Sequence, residues 1–495
     1  MAFLLNPPYK NTDENQKVRE DKDAEYGIDK SIIELTGEDA GKERYLAFLG
    51  QILNISKEQA AEKKELTPVV MIFTPTSWLL PRPTYKAFRE KWDRYFHFQS
   101  GFIITSNEFF KLQGTWPLAF TIWAYSDKEE GNDNNLLLHD LTTLNKETLN
   151  INWTLDDKTL DFQLNEILSD AKLVRLDNSK GDIRKWIDQP MYDFKRDTTK
   201  EEKQSGKIYG GLALKDERRG NKKTYGVISS SFIGFMDDAT PVRVRSKDDD
   251  RFKNGNNSVW FRLDSAMKDI NKSKCFNGPA DNRSYCAYDL FSSQTTFSWF
   301  AISKTLNGRY PVWANQYDIW PPAIKKKSEA YWYSLCFAFV LAENRCVVTK
   351  FEKDNPVVGA PEVFVDNPLC PANKESFWST VLAKEIITDT IAPAKETNLA
   401  KHLVDKITEL YKVWNKNYCK GQWKYNVGLQ DEPYFKYFDY ADFLTPHSGL
   451  IQIKKYAELE NCEDLQQLFT EITEGSKRVK DELYRLLVGE FKYFE

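Results

Sequence analysis

Asn6-Pro7-Pro8-Tyr9 sets two oxygen acceptors and an aromatic ring side by side, directly after the apolar run "AFLL". Each proline fixes φ and removes a backbone donor, so the quartet can neither extend that run as a strand nor begin a regular helix. The Pro7 carbonyl has no competing ladder partner, and the Asn6 amide oxygen sits beside it, so both can converge on one outside donor. Tyr9 supplies a ring face. The trio suits a planar ligand bearing an amino group, its amine held by the two oxygens and its ring lying on Tyr9. An adenine or cytosine base is such a ligand. A proline-rich turn beside a capping asparagine is the plainer account of the same residues.

The segments that would have to hold this turn alternate between strand and helix. "AFLL" reads as a short buried strand, "YLAFLGQIL" (45–53) has helical spacing, and "VVMIFTP" (69–75) is a continuous apolar strand. "YKAFREKWDRYF" (85–96) is amphipathic, and "GFIITS" and "PLAFTIWAY" are further strands. Uninterrupted apolar strands between helices predict a sheet covered on both faces. The polar run "SDKEEGNDNN" (126–135) marks the first boundary. Beyond it, residues 136–390 show short aromatic-rich segments that read as β, among them "KIYGGLAL", "TYGVISSSFIGF", "TTFSWFAI" and "VWANQYDIW". Residues 391–495 are helical: Leu399, Leu403, Ile407, Tyr411 and Trp414 form one apolar stripe, and Leu465, Phe469, Ile472, Val479, Leu483 and Leu487 another.

A chain of 495 residues has room for about two to four domains with real cores. Its 41% hydrophobic and 14% aromatic content excludes general disorder. The longest apolar run, "YWYSLCFAFVLA" (331–342), is too short to span a bilayer, and "AFLL" lacks the features of a signal peptide, so a cytoplasmic protein is expected. Seven scattered cysteines without C-x-x-C point to reduced thiols, and four histidines without metal-binding spacing point to metal-free chemistry. With a net charge of −4, any contact with nucleic acid must come from local basic faces. "KDERRGNKK" (215–223), with Arg218, Arg219, Lys222 and Lys223, "RVRSKDDDRFK" (243–253), with Arg243 and Arg245, and "KKK" (325–327) are the candidates; solvated loops share that composition. Asp188 followed by "EEK" (201–203) only faintly echoes a D…E-x-K nuclease site in a chain so rich in Lys and Glu.

The succession of strand, Asn6-Pro7-Pro8-Tyr9, helix, "FTPTSWL", helix, "FIITSNEFF" and "GTWPLAFTIWAY" resembles the catalytic half of the N6-adenine DNA methyltransferases of restriction-modification systems, over about the first quarter of the chain. The resemblance implies an α/β fold: a partial doubly wound methyltransferase-type sheet in residues 1–127, a mixed α+β target-recognition region in 136–390, and a helical C-terminal region in 391–495. It implies double-stranded DNA as substrate, with the target adenine rotated out of the stack into a pocket. Asn6 and the Pro7 carbonyl would accept hydrogen bonds from the exocyclic amine; Tyr9 and Phe120 would stack on the ring, with Trp123 as the alternative to Phe120. The polar run 10–27 would be a flap over the site. The family's cofactor, S-adenosylmethionine, binds a glycine-rich turn of the F-x-G-x-G kind after an earlier strand, and this sequence has no such turn. The resemblance therefore implies an incomplete cofactor site, completed by a second polypeptide, or a chain that self-associates through residues 2–5. The contrasting expectation is a catalytically silent DNA-binding or specificity subunit of a restriction-modification or phage-defence system.

Overall fold

The computed structural model describes residues 2–7, 30–41, 43–62, 67–80, 82–110, 114–126, 135–145, 165–176, 181–187, 232–235, 241–243, 259–276, 284–345, 349–351, 363–365, 367–386, 398–419 and 444–495. Its largest sheet has six strands: β1 (Ala2–Leu5), β2 (Val69–Pro75), β3 (Phe96–Thr105), β4 (Pro117–Tyr125), β5 (Leu137–Asp140) and β6 (Lys172–Arg175), in the order β1-β2-β4-β3-β5-β6. β1 runs parallel to β2, β4 lies antiparallel between β2 and β3, β5 is parallel to β3, and β6 is antiparallel to β5. The sheet thus continues through the polar linker at 126–135, taking two more strands from the chain beyond it.

The helices α2 (Arg44–Glu62) and α3 (Pro83–Tyr95) lie in the connections from β1 to β2 and from β2 to β3, after the short helix α1 (Lys30–Thr36). Pro83 at the start of α3 follows the usual asymmetry of helix ends, because its missing N–H is one that the first turn could not pair. Both longer helices add buried side chains, such as Leu46, Leu49, Phe88 and Trp92, to the same cluster as Val70, Ile72 and Trp123 of the sheet. Strand residues alternate between faces, and β2 alternates half-buried and buried along its whole length. One face of the sheet is therefore packed under helices. The other is only half covered, with a smaller cluster around Ile104, Leu118 and Leu141. This differs from the expected sheet closed on both sides: both crossover helices serve the same face. β1 also departs from a buried strand, since it is the edge of the sheet and Leu4 is 72% exposed.

The rest of the described chain packs helices around a small antiparallel sheet. β9 (Val259–Arg262) pairs with β10 (Lys274–Phe276) and β11 (Ser284–Ala287), following a two-stranded ribbon of β7 (Phe232–Phe235) and β8 (Pro241–Arg243). "TTFSWFAI" is not a strand. It lies inside α4 (Leu290–Leu306), which is capped by Asp289 accepting from the Ser292 amide. α5 (Glu329–Glu343) follows, and "VWANQ" between them is a single 3-10 turn. The C-terminal stripes form α6 (Leu399–Val413) and α8 (Glu463–Tyr484), with α7 (Leu450–Leu459) between them. One hydrophobic cluster runs from Ala40 through these helices to Tyr493. No helix among the described residues is long and apolar enough to cross a membrane, and no group of three potential metal ligands forms there.

Candidate active site at the end of the first strand

β1 ends at Leu5, paired with Ile72, so Asn6 stands level with Phe73 at the carboxyl end of the parallel pair. The two prolines that follow explain the stop, since neither could donate to the ladder. Asn6 is exposed and Pro7 is buried. Pro8, Tyr9 and the proposed flap lie outside the described residues. Alternation puts Asn6 on the side of Leu4, which pairs with Met71, and so on the half-covered face.

Register then brings three rings to that level. Phe73 of β2 is the Cα partner of Phe120 of β4, and Phe120 is the partner of Phe102 of β3. The Phe73 and Phe120 ring centroids are 4.8 Å apart, Phe102 stacks on Phe120 at 5.1 Å with 27° between planes, and Phe110 meets Phe73 edge-on at 5.6 Å. All four are half-buried. With neighbouring strands about 4.8 Å apart, the Phe73 backbone is one strand from Asn6 and the Phe120 backbone about 10 Å away. A row of aromatic rings therefore begins one strand away from Asn6.

Trp123, the alternative to Phe120, is on the opposite face. It is fully buried, donates its indole N–H to Thr121 Oγ1 at 2.8 Å, and packs between Trp78 and Trp92 with centroids 5.8 Å from each. It cannot meet a ligand at Asn6 without unfolding the closed side of the sheet. The aromatic strand motif was visible in the sequence, but choosing between its rings required knowing which face α2 and α3 cover.

The turn after β2 is held from below by polar contacts. Trp78 donates its indole N–H to Thr74 Oγ1 at 2.7 Å, and Tyr45 and Ser77 share a hydrogen bond of 3.2 Å. Burial raises the Tyr45 and Tyr85 phenols above their ordinary pKa values and raises the neighbouring Glu43 carboxyl too. These phenols stay neutral and act as fixed hydrogen-bonding groups that hold "FTPTSWL" in place. The Thr76 hydroxyl is buried with no hydrogen-bond partner among the described residues. Trp116, at the start of β4 on the same edge, is exposed, and Lys268 from the later part of the chain lies 5.6 Å from its ring. Phe73, Phe102 and Trp116 lie at the same end of the sheet as the candidate site and were not singled out in the sequence. "FTPTSW" and "GTWP" carried the aromatic signal, but only strand pairing shows that these rings share one edge.

The predicted basic residues are placed less fully. Arg243 closes β8, while Arg218, Arg219, Lys222, Lys223 and Arg245 lie outside the described residues, as do Asp188 and "EEK". In the "KKK" run, Lys327 pairs with Glu490 at 3.3 Å, so one of its three charges is engaged within the chain.

No family model matches the sequence, and no curated protein matches it. Among solved structures the chain is similar to the ATP-dependent Type ISP restriction-modification enzyme LlaBIII bound to DNA, with 10% identity, a TM-score of 0.33, and coverage of 70% of this chain and 29% of that one. The DrdV–DNA complex aligns with 10% identity and a TM-score of 0.32 over 72% of this chain and 46% of that one. A nuclease-deletion mutant of the Type ISP enzyme LlaGI with a DNA substrate mimic gives 10% and 0.33 over 69% and 35%. This chain spans less than half the length of each.

Proposed function

We propose that this protein is the DNA-acting component of a restriction-modification system, carrying the catalytic half of an N6-adenine DNA methyltransferase followed by a DNA-recognition region. One observation supports the reading most: Asn6 and Pro7 emerge at the carboxyl end of a parallel strand pair, where ligands of open α/β sheets bind, one strand from Phe73, whose ring meets that of Phe120. The arrangement of the four strands agrees with it, a parallel pair followed by a strand inserted antiparallel before the last.

In this reading the flipped adenine stands against the aromatic floor, and its exocyclic amine donates to the Asn6 amide oxygen and the Pro7 carbonyl. Both acceptors draw the nitrogen lone pair out of conjugation with the ring and favour positive charge there. Stacking on Phe120 and Tyr9 offsets the few kcal/mol that extrusion costs. This chain's residues do not fit S-adenosylmethionine. The sequence has no glycine-rich turn, and β1, whose far side would have to receive the cofactor-binding strands, has no other described partner. The methyl donor's site lies, in this reading, outside these 495 residues.

Two measurements test the proposal. Calorimetric titration of the isolated chain with S-adenosylmethionine should show weak binding or none, and tight binding would mean the fold has been misread. When the chain is combined with a polypeptide carrying the glycine-rich half, duplex DNA should gain N6-methyladenine, and Asn6→Ala should abolish that gain while leaving DNA binding intact. Undiminished methylation by the Asn6→Ala enzyme would remove Asn6 from the chemistry. The absent turn also favours a second reading, a silent DNA-binding subunit, in which DNA binds but no complementing polypeptide restores transfer.

A further inference from the structure

Where the sheet meets the later part of the chain, one aromatic ring is held out of the fold. Trp116 follows Gly114 and Thr115 in the tip that leads into β4, and all three are exposed, Trp116 by 38%. Its backbone is nevertheless fixed by Ser106, a fully buried residue that opens the helical turn Ser106–Phe109. The Ser106 amide donates to the Trp116 carbonyl at 2.8 Å, while the Ser106 hydroxyl accepts from the Trp116 amide and donates to the Gly114 carbonyl, both at 3.1 Å. Gly114 has φ +87°, and a Cβ there would come within 2.8 Å of the Trp116 indole nitrogen, so the ring lies against a bare Cα that only glycine supplies. Asn315, on the turn Val312–Gln316, donates its side-chain amide to the Thr115 carbonyl at 3.0 Å and ties the tip to the later part of the chain. A scattered exposed apolar side chain is ordinary and would carry nothing. This ring differs because the tip that presents it is pinned from both sides of the seam.

Its place along the strand decides what such a ring meets. Phe120 is level with Phe73 and so with Asn6, and Trp116 precedes Phe120 by four residues of β4. At strand rise Trp116 stands about 14 Å beyond the candidate site, past the carboxyl ends of β1 and β2. A duplex cannot enter a pocket; only the extruded nucleotide does, and the rest of the DNA stays outside the end of the sheet. There the bases that flanked the extruded adenine are left with ring faces that it had covered. Lys268 adds a charge at the same spot. It is exposed on the turn Met267–Lys272, with its ammonium 5.6 Å from the Trp116 ring. It forms no ion pair among the described residues, since the neighbouring Asp269 is taken by Lys272 at 2.8 Å. A cation–π contact of that length at an exposed site is weak and leaves the ammonium open to a phosphate.

We propose that Trp116 stacks on the ring face that the extruded adenine leaves open in the duplex, and that Lys268 takes a neighbouring phosphate. Stacking there returns part of the cost of extrusion. This inference rests on the reading of the chain as the catalytic half of a DNA methyltransferase and adds a contact to the duplex outside the candidate pocket.

The test compares binding of the full chain to two fluorescent duplexes of one sequence, one intact and one with a single central abasic site. The abasic duplex offers the vacated step without any cost of extrusion. The wild type should bind it about tenfold more tightly than the intact duplex, within the range that one stack of a base on an aromatic side chain supplies. Trp116→Ala should lose that preference while keeping the wild-type affinity for intact duplex to within about threefold, which also shows that the variant is folded. Trp116→Phe, which keeps a ring, should retain most of the preference. Lys268→Gln should weaken binding to both duplexes alike and lower the slope of log K against log salt by about 0.9, the value for one phosphate contact. If the wild type has no preference, if Trp116→Ala keeps it, or if Trp116→Ala weakens both duplexes equally, the stacking role is wrong while the DNA-binding reading stands. If the wild type binds no duplex at any salt, both fall together.

Discussion

The two faces of the six-stranded sheet are built from the same strands yet differ in what they ask of their residues. On the side of Val70, Ile72, Thr121 and Trp123 these four side chains are fully buried, the threonine hydroxyl included, and the apolar three share one cluster with α2 and α3. On the side of Met71, Phe73, Phe102 and Phe120 the side chains are half-buried, and Leu4 at the edge is mostly exposed. The closed face defines the fold. The open face keeps apolar and aromatic surface in reach of a ligand, which a protein retains at the cost of some stability when that surface has a use.

The largest expected difference is in stability. Trp123→Ala empties the centre of a tight aromatic cluster on the closed face, where Trp78, Trp92 and Phe98 all lie within 6 Å of its ring centroid. By urea denaturation it should cost about 3–5 kcal/mol. Phe120→Ala, three positions away in sequence but on the open face, should cost about 1–2 kcal/mol because its ring is only half-buried. In the reconstituted enzyme, however, Phe120→Ala should lower transfer by about 10- to 100-fold, the equivalent of one lost stacking contact. Equal losses of stability at the two positions would mean the faces are not distinct. Unchanged transfer would take Phe120 out of the site.

Much of the closed face was legible because its elements obey simple periods. "YKAFREKWDRYF" and "VVMIFTP" become α3 and β2 where their patterns place them, and Pro7 stops β1 where a missing donor must. The open face was not legible, since which side a crossover helix covers is a property of connections rather than of any residue. "TTFSWFAI" failed for another reason: α4 is buried nearly all round, so its composition carries no 3.6-residue period to oppose a strand reading. β5 and β6 are four residues each and far apart in sequence, and only pairing makes them part of the first sheet. For the candidate site, Asn6 and Pro7 were proposed from residue type alone. The neighbours that give Asn6 its floor depend on register, through Phe73 to Phe120 to Phe102, which no local pattern contains.

The smallest expected effect on stability, and the sharpest test of the open face, is at Leu4. With 72% of its surface exposed, Leu4→Lys should change unfolding free energy by less than about 0.5 kcal/mol. Its consequence should appear between molecules. β1 pairs with β2 on one side and with no other described strand, so its outer N–H and C=O groups, next to an uncovered leucine, form a template for another chain. A polypeptide of these 495 residues should therefore associate as its concentration rises, weakly because the strand is only four residues long. Leu4→Lys, which sets a charge on the edge, should shift light scattering towards the monomer. The same variant should weaken pairing with any polypeptide that supplies the glycine-rich half, since both events would use the same edge. Hydrogen exchange at Phe3 and Leu4 separates the causes: the amides should exchange fast in dilute protein and slow on association. A monomer that persists at high concentration, with these amides already protected, would mean that the edge is covered within the chain. The proposal that this edge receives further strands from outside these 495 residues would then lose its physical basis.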